Sequence, residues 1–319
     1  MRVRAAVACA AGISLALGIA GCGGSAGGAA SAGAVDDQLK GANFTVSSKD
    51  FTESIVLGKI AKYLLQAHGA TVADKTNIQG SVNTRTALTS GQVDMYWEYT
   101  GTGWITYLKK TKPLPDPQQQ YQQVKEADDA ANGIAWLPPA PLNDTYAFAV
   151  QADRAKQLNV HTLSDLARLS RTDPADATLC VESEFSTRDD GLPGVTKTYG
   201  LQVPQANVKM LDPGVIYTET QKGKSCNFGE VNSSTDGRIA ALNLVLLNDD
   251  KRFFPFYNPS LTLKKSLLAK YPALAGIFAP VAAKLDNKTM TDLNTQVDVQ
   301  GNPADQVALQ WLKDQGFAK

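Results

Sequence analysis

Phe44-Thr45-Val46-Ser47-Ser48-Lys49-Asp50-Phe51-Thr52-Glu53 is the stretch on which the reading of the fold turns. It passes from a strand, Asn43 to Ser47, into polar residues that suit a helix start, where Thr52 or Asp50 can act as the cap. Leu57, Ile60, Ala61, Leu64 and Leu65 then recur at helical spacing until Gly69 stops the run. Glu98-Tyr99-Thr100-Gly101-Thr102-Gly103 repeats the logic. A buried strand, Val93 to Tyr99, ends in an aromatic and feeds a Gly/Thr-rich helix start that continues through Trp104 and Leu108. Small ligands sit at such strand-to-helix ends in α/β proteins.

Between these stretches, Thr71 to Ile78 reads as a strand, and Gly80 to Thr84 opens a helix through Leu88. The β-α-β-α-β succession predicts a largely parallel sheet with helices on both faces. Gln118 to Asn132 is a polar helix, and Thr145 to Val150 is an apolar strand that crosses into a second lobe. There the pattern restarts. Thr162 to Ala167 is a capped helix, Ala177 to Val181 a strand, and Gly191 to Gly194 a turn before Val195 to Tyr199. Val208 to Leu211 is a strand, Gly214 to Gln221 and Gly237 to Ala241 are helical, and Leu242 to Leu247 is a strand. Lys264 to Phe317 is mostly helical. Lobe one is expected over 42–149 plus 259–319 and lobe two over 150–258, with a ligand cleft between them.

The 319-residue chain opens with Arg2, Arg4 and an apolar run from Ala5 to Ala20, then Ile19-Ala20-Gly21-Cys22. Residues 1–21 read as a lipoprotein signal peptide with Cys22 as the lipidated residue, and 22–41 as a flexible tether. This predicts an extracytoplasmic protein anchored to the cell membrane. Cys9 lies in the signal, which leaves Cys180 and Cys226; in an oxidising compartment an isolated pair is read as a structural disulfide. No later apolar run is long enough to span a bilayer, so the chain is not read as a permease. Thirty-one basic residues balance thirty-one acidic ones, a composition without the footprint of nucleic-acid binding.

Catalysis and metal binding find no support. The two histidines, His68 and His161, flank helices and read as surface residues. HExxH, CxxC, GxSxG and P-loop patterns are absent, so no enzyme activity, metal or cofactor is expected. Aromatics do stand beside the loops expected at the cleft: Tyr99, Tyr146, Tyr217, Phe228, Phe254 and Tyr257. Core packing accounts for most of them. Tyr99, Tyr146 and Tyr257 differ because each adjoins Gly/Pro or Asn/Asp-rich chain.

Six segments, in order, resemble the glycine betaine/carnitine/choline substrate-binding proteins of bacterial ABC importers. They are Ser48 to Glu53, Trp97 to Gly103, Asn143 to Ala147, Glu184 to Gly194, Ser234 to Arg238, and Asp249 to Tyr257. The resemblance implies a two-lobed periplasmic-binding-protein-like fold of type II. It also implies a monomer that closes on a small solute and docks on a membrane permease with its separate ATPase. In that family a box of tyrosines surrounds a quaternary ammonium, and polar groups hold the other end of the ligand.

Carried over by position, Tyr99, Tyr146 and Tyr257 match box tyrosines, and Thr102 and Asp144 match polar contacts. Lys49 and Arg188 match basic residues that hold a carboxylate or bridge the lobes. The chain departs from the pattern at Ser54, where Gln is frequent, and at Ser233, where an aromatic usually precedes Ser-Thr-Asp-Gly. The box is therefore expected to lack one wall, with Phe228 or Trp97 as possible substitutes and Ser233 itself as a hydrogen-bonding group. This departure keeps a second reading open, the same receptor with a polyol or aromatic ligand. A sensory lipoprotein without transport and a hydrolase are the remaining alternatives.

Overall fold

The computed structural model describes residues 32–319. The signal peptide, Cys9, Cys22 and the first part of the tether lie outside the described residues. Residues 32–41, assigned to the tether, are held in place. Gly33 exchanges backbone hydrogen bonds with Lys319, the Val35 amide donates to Ala67 O at 2.7 Å, and Leu39 is buried. Residues 32–41 thus pack onto the folded body ahead of the expected first strand.

Ten strands form two five-stranded sheets. The first contains β1 (Asn43–Lys49), β2 (Thr71–Ile78), β3 (Met95–Tyr99), β4 (Ile134–Trp136) and, from much later in the chain, β10 (Pro259–Lys264). Their order is β2-β1-β3-β10-β4. The second sheet has order β7-β6-β8-β5-β9, from β5 (Ala147–Gln151), β6 (Leu179–Val181), β7 (Val208–Met210), β8 (Phe228–Val231) and β9 (Leu244–Leu246).

Each sheet is mixed rather than largely parallel. β1, β2 and β3 run parallel, as do β6, β7 and β8, but β10 and β5 run antiparallel to both their neighbours. These two strands are the ones the chain enters after crossing from the other sheet. The parallel strands end at the crossover, so a chain arriving there must run back along them. The registers say the same: Pro259, which starts β10, faces Tyr99 at the end of β3, and Ala147, which starts β5, faces Val231 at the end of β8. Ala147 already pairs in the second sheet, so the change of sheet falls before it and not after Ala149.

Helix α1 (Thr52–Ala67) presents Val56, Leu57, Ile60, Leu64 and Leu65 to the first sheet, all fully buried. Each contributes roughly 1.5–3 kcal/mol of apolar burial. The C-terminal helices Asn287–Asp298 and Ala304–Asp314 close the other side of α1 through Met290, Leu293, Ala308 and Leu312. Neither predicted cap of α1 acts as one. Phe51 holds the cap position without a side-chain bond, and Thr52 instead donates to Asp298 Oδ1 at 2.7 Å. Helix α2 (Ser81–Ser90) buries Ala87 and Leu88 with Tyr96 and Trp136 on the opposite face of the sheet. In the second lobe, Thr162 forms a capping box with Asp165 at the start of helix Leu163–Thr172.

Cys180 in β6 and Cys226, two residues before β8, are joined by a disulfide with a Cα–Cα distance of 5.7 Å and a sequence separation of 46. It packs against Ile216 and Leu211. In the chain-entropy description a loop of this length is stabilised by about 4 kcal/mol. The double substitution Cys180→Ala, Cys226→Ala should therefore lower the denaturant midpoint and, by releasing the unfolded chain, steepen the slope, and reductant should do the same to the wild-type protein and nothing to the variant.

Candidate functional site

The end of β1 and the end of β3 lie side by side, and the two crossovers run past them. The first crossover, residues 143–146, and the second, residues 254–258, are tied together. The Asp144 amide donates to Tyr257 O at 3.1 Å, and the Tyr257 amide donates to Asn143 Oδ1 at 2.7 Å. This junction places side chains from both sheets around one narrow cavity of about 40 Å³. Lys49, Tyr99, Thr102, Asp144, Tyr146 and Tyr257 line it, joined by Phe51, Ser81, Glu182, Glu184 and Asn232 among others. The cavity has room for no more than a few water molecules. Solute entry therefore requires the sheets to move apart, a hinge motion for which two short crossovers are suited.

Gly101 is what allows the rings to meet. A Cβ built there would lie 2.5 Å from the Tyr257 ring, so the helix start after β3 can carry no side chain at that point. Tyr257 packs edge-on against Tyr146, with ring centroids 5.4 Å apart, and Phe51 lies 5.7 Å from Tyr99. Two ring faces already carry cations of the protein. Lys49 Nζ sits 5.0 Å from the Tyr99 centroid, and the Arg188 guanidinium sits 5.4 Å from that of Tyr146.

Both basic groups are also ion-paired. Lys49 Nζ lies 2.6 Å from Glu98 Oε1, and both side chains are buried. Glu98 further accepts from Tyr96 OH at 2.7 Å and from Tyr107 OH at 2.6 Å. Tyr107 reaches it because residues Gly103–Tyr107 form a π-helical turn. Arg188 makes a two-pronged bond to Asp190, at 2.7 and 2.6 Å, and a third to Glu184 at 2.6 Å. Asp190 also accepts from Tyr257 OH at 2.7 Å, and Glu184 Oε2 accepts from the Ser81 amide of the other sheet at 2.8 Å. Arg188 stands behind the Tyr146 ring and is not among the residues lining the cavity.

Ser233 is likewise behind the wall. Its hydroxyl donates to Asp144 Oδ1 at 2.9 Å and lies 3.1 Å from Thr235 Oγ1. Asp144 Oδ1 also accepts from the Thr235 amide at 3.2 Å, and the neighbouring Glu53 accepts from Tyr99 OH at 3.0 Å and from Thr235. Burial and the neighbouring Glu53 charge hold the Asp144 carboxyl well above its ordinary range. Neither expected substitute for the missing aromatic reaches the cavity. Phe228 is in the core of the second sheet, and Trp97 packs on Phe278 in the first. Phe51 is the additional ring present. Ser54, the other departure, accepts the Lys49 amide at 2.9 Å and so secures the end of β1.

Sequence reading missed the acidic wall. Burial pushes Glu182 up to about 7, helped by the charges of Glu184 and Asp50. Glu230, buried beneath it, is pushed up by burial and by Glu182, and its Oε1 has no partner among the described residues. Glu184 is held down at about 2 against its own desolvation by Arg188 and Lys49. The available signal was Glu182-Ser183-Glu184, two same-face carboxylates at a strand end. A larger groove, about 770 Å³, runs along Leu114, Pro115, Leu246, Arg252, Phe254 and Phe256. It shares only Tyr146 with the smaller cavity, on which six of the expected groups converge. Among the described residues no cluster of His, Cys, Asp and Glu is placed to hold a metal, and no helix is long and apolar enough to cross a membrane.

A carboxyl that holds its proton more tightly when folded stabilises the fold below its unfolded pKa and loses that contribution as pH rises through the folded value. For Glu182 the window runs from about 4.5 to about 7. Glu182→Gln should accordingly raise the unfolding temperature at pH 8 more than at pH 5, by an amount corresponding to roughly 1–3 kcal/mol. Gly101→Ala should displace the Tyr257 ring and destabilise the protein by roughly 1–3 kcal/mol, as overpacking does.

With this geometry in hand, comparison with known proteins is direct. Residues 42–314 match the family described as the substrate binding domain of ABC-type glycine betaine transport systems. The glycine-betaine-binding protein of Pseudomonas aeruginosa is 35% identical over 274 residues, covering 84% of this chain and 86% of that protein. The glycine betaine-binding protein YehZ of Escherichia coli is 35% identical, covering 86% and 91%. The solved apo structure of YehZ superposes with a TM-score of 0.62 over 86% of this chain and 99% of that one, at 34% identity. A structure titled as a glycine betaine/carnitine/choline ABC transporter gives 0.69 over 86% and 99%, at 27% identity. The chain belongs to this family of substrate-binding proteins, and its two mixed sheets form the type II two-lobed fold.

Proposed function

We propose that this family member is the extracytoplasmic receptor of an ABC importer, anchored through lipidated Cys22, and that it captures quaternary ammonium solutes such as glycine betaine, choline or carnitine between its lobes. The observation that carries the reading is the convergence of Tyr99, Tyr146 and Tyr257 with Thr102 and Asp144 on one cavity at the crossovers. A trimethylammonium group cannot donate a hydrogen bond, so aromatic faces are its natural partners, each contributing about 0.5–2 kcal/mol. Two of these rings already hold cations of the protein itself, the same attraction in intramolecular form.

Ligand contacts to both sheets favour the closed arrangement, and the closed receptor then docks on the permease, whose ATPase drives import. The solutes named for the relatives and for the matched structure support this solute class. Ser233 no longer motivates a polyol or aromatic ligand, because its hydroxyl is engaged by Asp144 and not directed at the solute.

Calorimetric titration with glycine betaine, choline and carnitine tests the reading. At least one should bind, and Tyr99→Ala or Tyr146→Ala should weaken it roughly 3- to 30-fold, the equivalent of one aromatic face. The corresponding Phe variants, which keep the face, should bind within a few-fold of wild type. A folded protein that binds none of the three would overturn the proposal.

A further inference from the structure

Resting on the reading of the cleft as the solute site, a finer question is which end groups of a quaternary ammonium solute the cleft accepts. Glycine betaine and choline share a trimethylammonium head. They differ in that the first ends in a carboxylate and the second in a hydroxyl, so one is a zwitterion and the other a cation.

A carboxylate entering a closed cavity needs a cation or several donors to replace its water. The two basic residues expected to meet it are both committed elsewhere. Lys49 is paired with Glu98 at 2.6 Å, in a buried site where two tyrosine hydroxyls also bond Glu98 and hold it in place. Arg188 is bound by Asp190 through two bonds and by Glu184 through a third. The uncharged groups on the cavity, Thr102 and Asn232, bond a hydroxyl as well as a carboxylate and do not discriminate.

The remaining charged groups on the cavity are acidic. Glu182 and Asp50 line it, and neither has a basic ion-pair partner within 4 Å among the described residues. Asp144 lines it too, is buried, and its Oδ2 takes no hydrogen bond from a donor group among the described residues. Glu230, buried next to Glu182, leaves its Oε1 unpartnered as well. Around Glu182 stand Glu184 and Arg188 from its own segment, Asp50 from the facing sheet, and Glu230 from β8. Arg188 is neutralised by its own partners, so the local balance is negative.

We propose that the cleft selects solutes with net positive charge and a hydroxyl or other hydrogen-bond donor over zwitterions that end in a carboxylate, and that Glu182 is the determinant. A bound cation supplies the charge the acidic wall lacks, and its donor meets a carboxylate oxygen. A carboxylate in the same place meets like charge.

Titration of the purified protein with choline and with glycine betaine at pH 8 reads the selectivity directly. Choline should bind at least tenfold more tightly, and Glu182→Gln should reduce that ratio at least threefold by weakening choline while glycine betaine changes little or improves. Glycine betaine bound as tightly as choline by wild type overturns the proposal, independently of whether the variant folds. A ratio unchanged in a folded Glu182→Gln variant overturns the role of Glu182. Silence toward both solutes removes the selectivity, and silence toward carnitine as well overturns the quaternary ammonium reading of the cleft; binding of both in the wrong order leaves that reading standing and removes only this inference.

Discussion

The pairing of the two crossovers is the constraint on which the rest depends. Asp144 and Tyr257 lie on different passages of the chain between the sheets, and backbone bonds hold them adjacent. Every parallel strand in both sheets ends near this junction, so the strand ends of both halves face one space. The same junction forces β5 and β10 to run against their neighbours, since each starts where the others stop. A sheet of wholly parallel strands would have sent the connecting chain to the far end, and the residues of the crossovers would not line a cleft.

Enclosing that space removes charged groups from water, and the structure answers with ion pairs and hydrogen bonds. Lys49 with Glu98, and Arg188 with Asp190 and Glu184, are compact networks in which each ion has at least one charge-assisted bond. Glu53 and Asp144 accept instead from Tyr99, Ser233 and Thr235. These groups come from both sheets. Lys49 with Glu98 and Arg188 with Asp190 and Glu184 each lie within one half, whereas the bonds from Thr235 to Glu53 and from the Ser81 amide to Glu184 join the two.

The disulfide is set apart from this machinery. It ties β6 to the entry of β8 on the side where Ile216 and Leu211 pack, so it stiffens the second sheet without spanning the cleft. Among the described residues the two crossovers carry no covalent tie beyond the chain itself.

Much was legible in the residues alone. Helical spacing in Leu57 to Leu65 places α1, and the sequence turns at Lys49-Asp50 and Tyr99-Thr100-Gly101 mark strand ends that border the cavity, because local backbone preferences act over a few residues. The two central strands β8 and β10 escaped notice. Phe228-Gly229-Glu230-Val231 is too short and mixed for a periodic signal, and Pro259 heads the other; both exist because two neighbours bond them. Tertiary structure alone decided that Ser233 holds Asp144, that Lys49 and Arg188 are already paired, and that Glu182 and Glu230 meet. Those facts concern residues separated by 48 to 89 positions in several pairs. Electrostatic partnership and burial are set by distance in space, which only the completed fold defines.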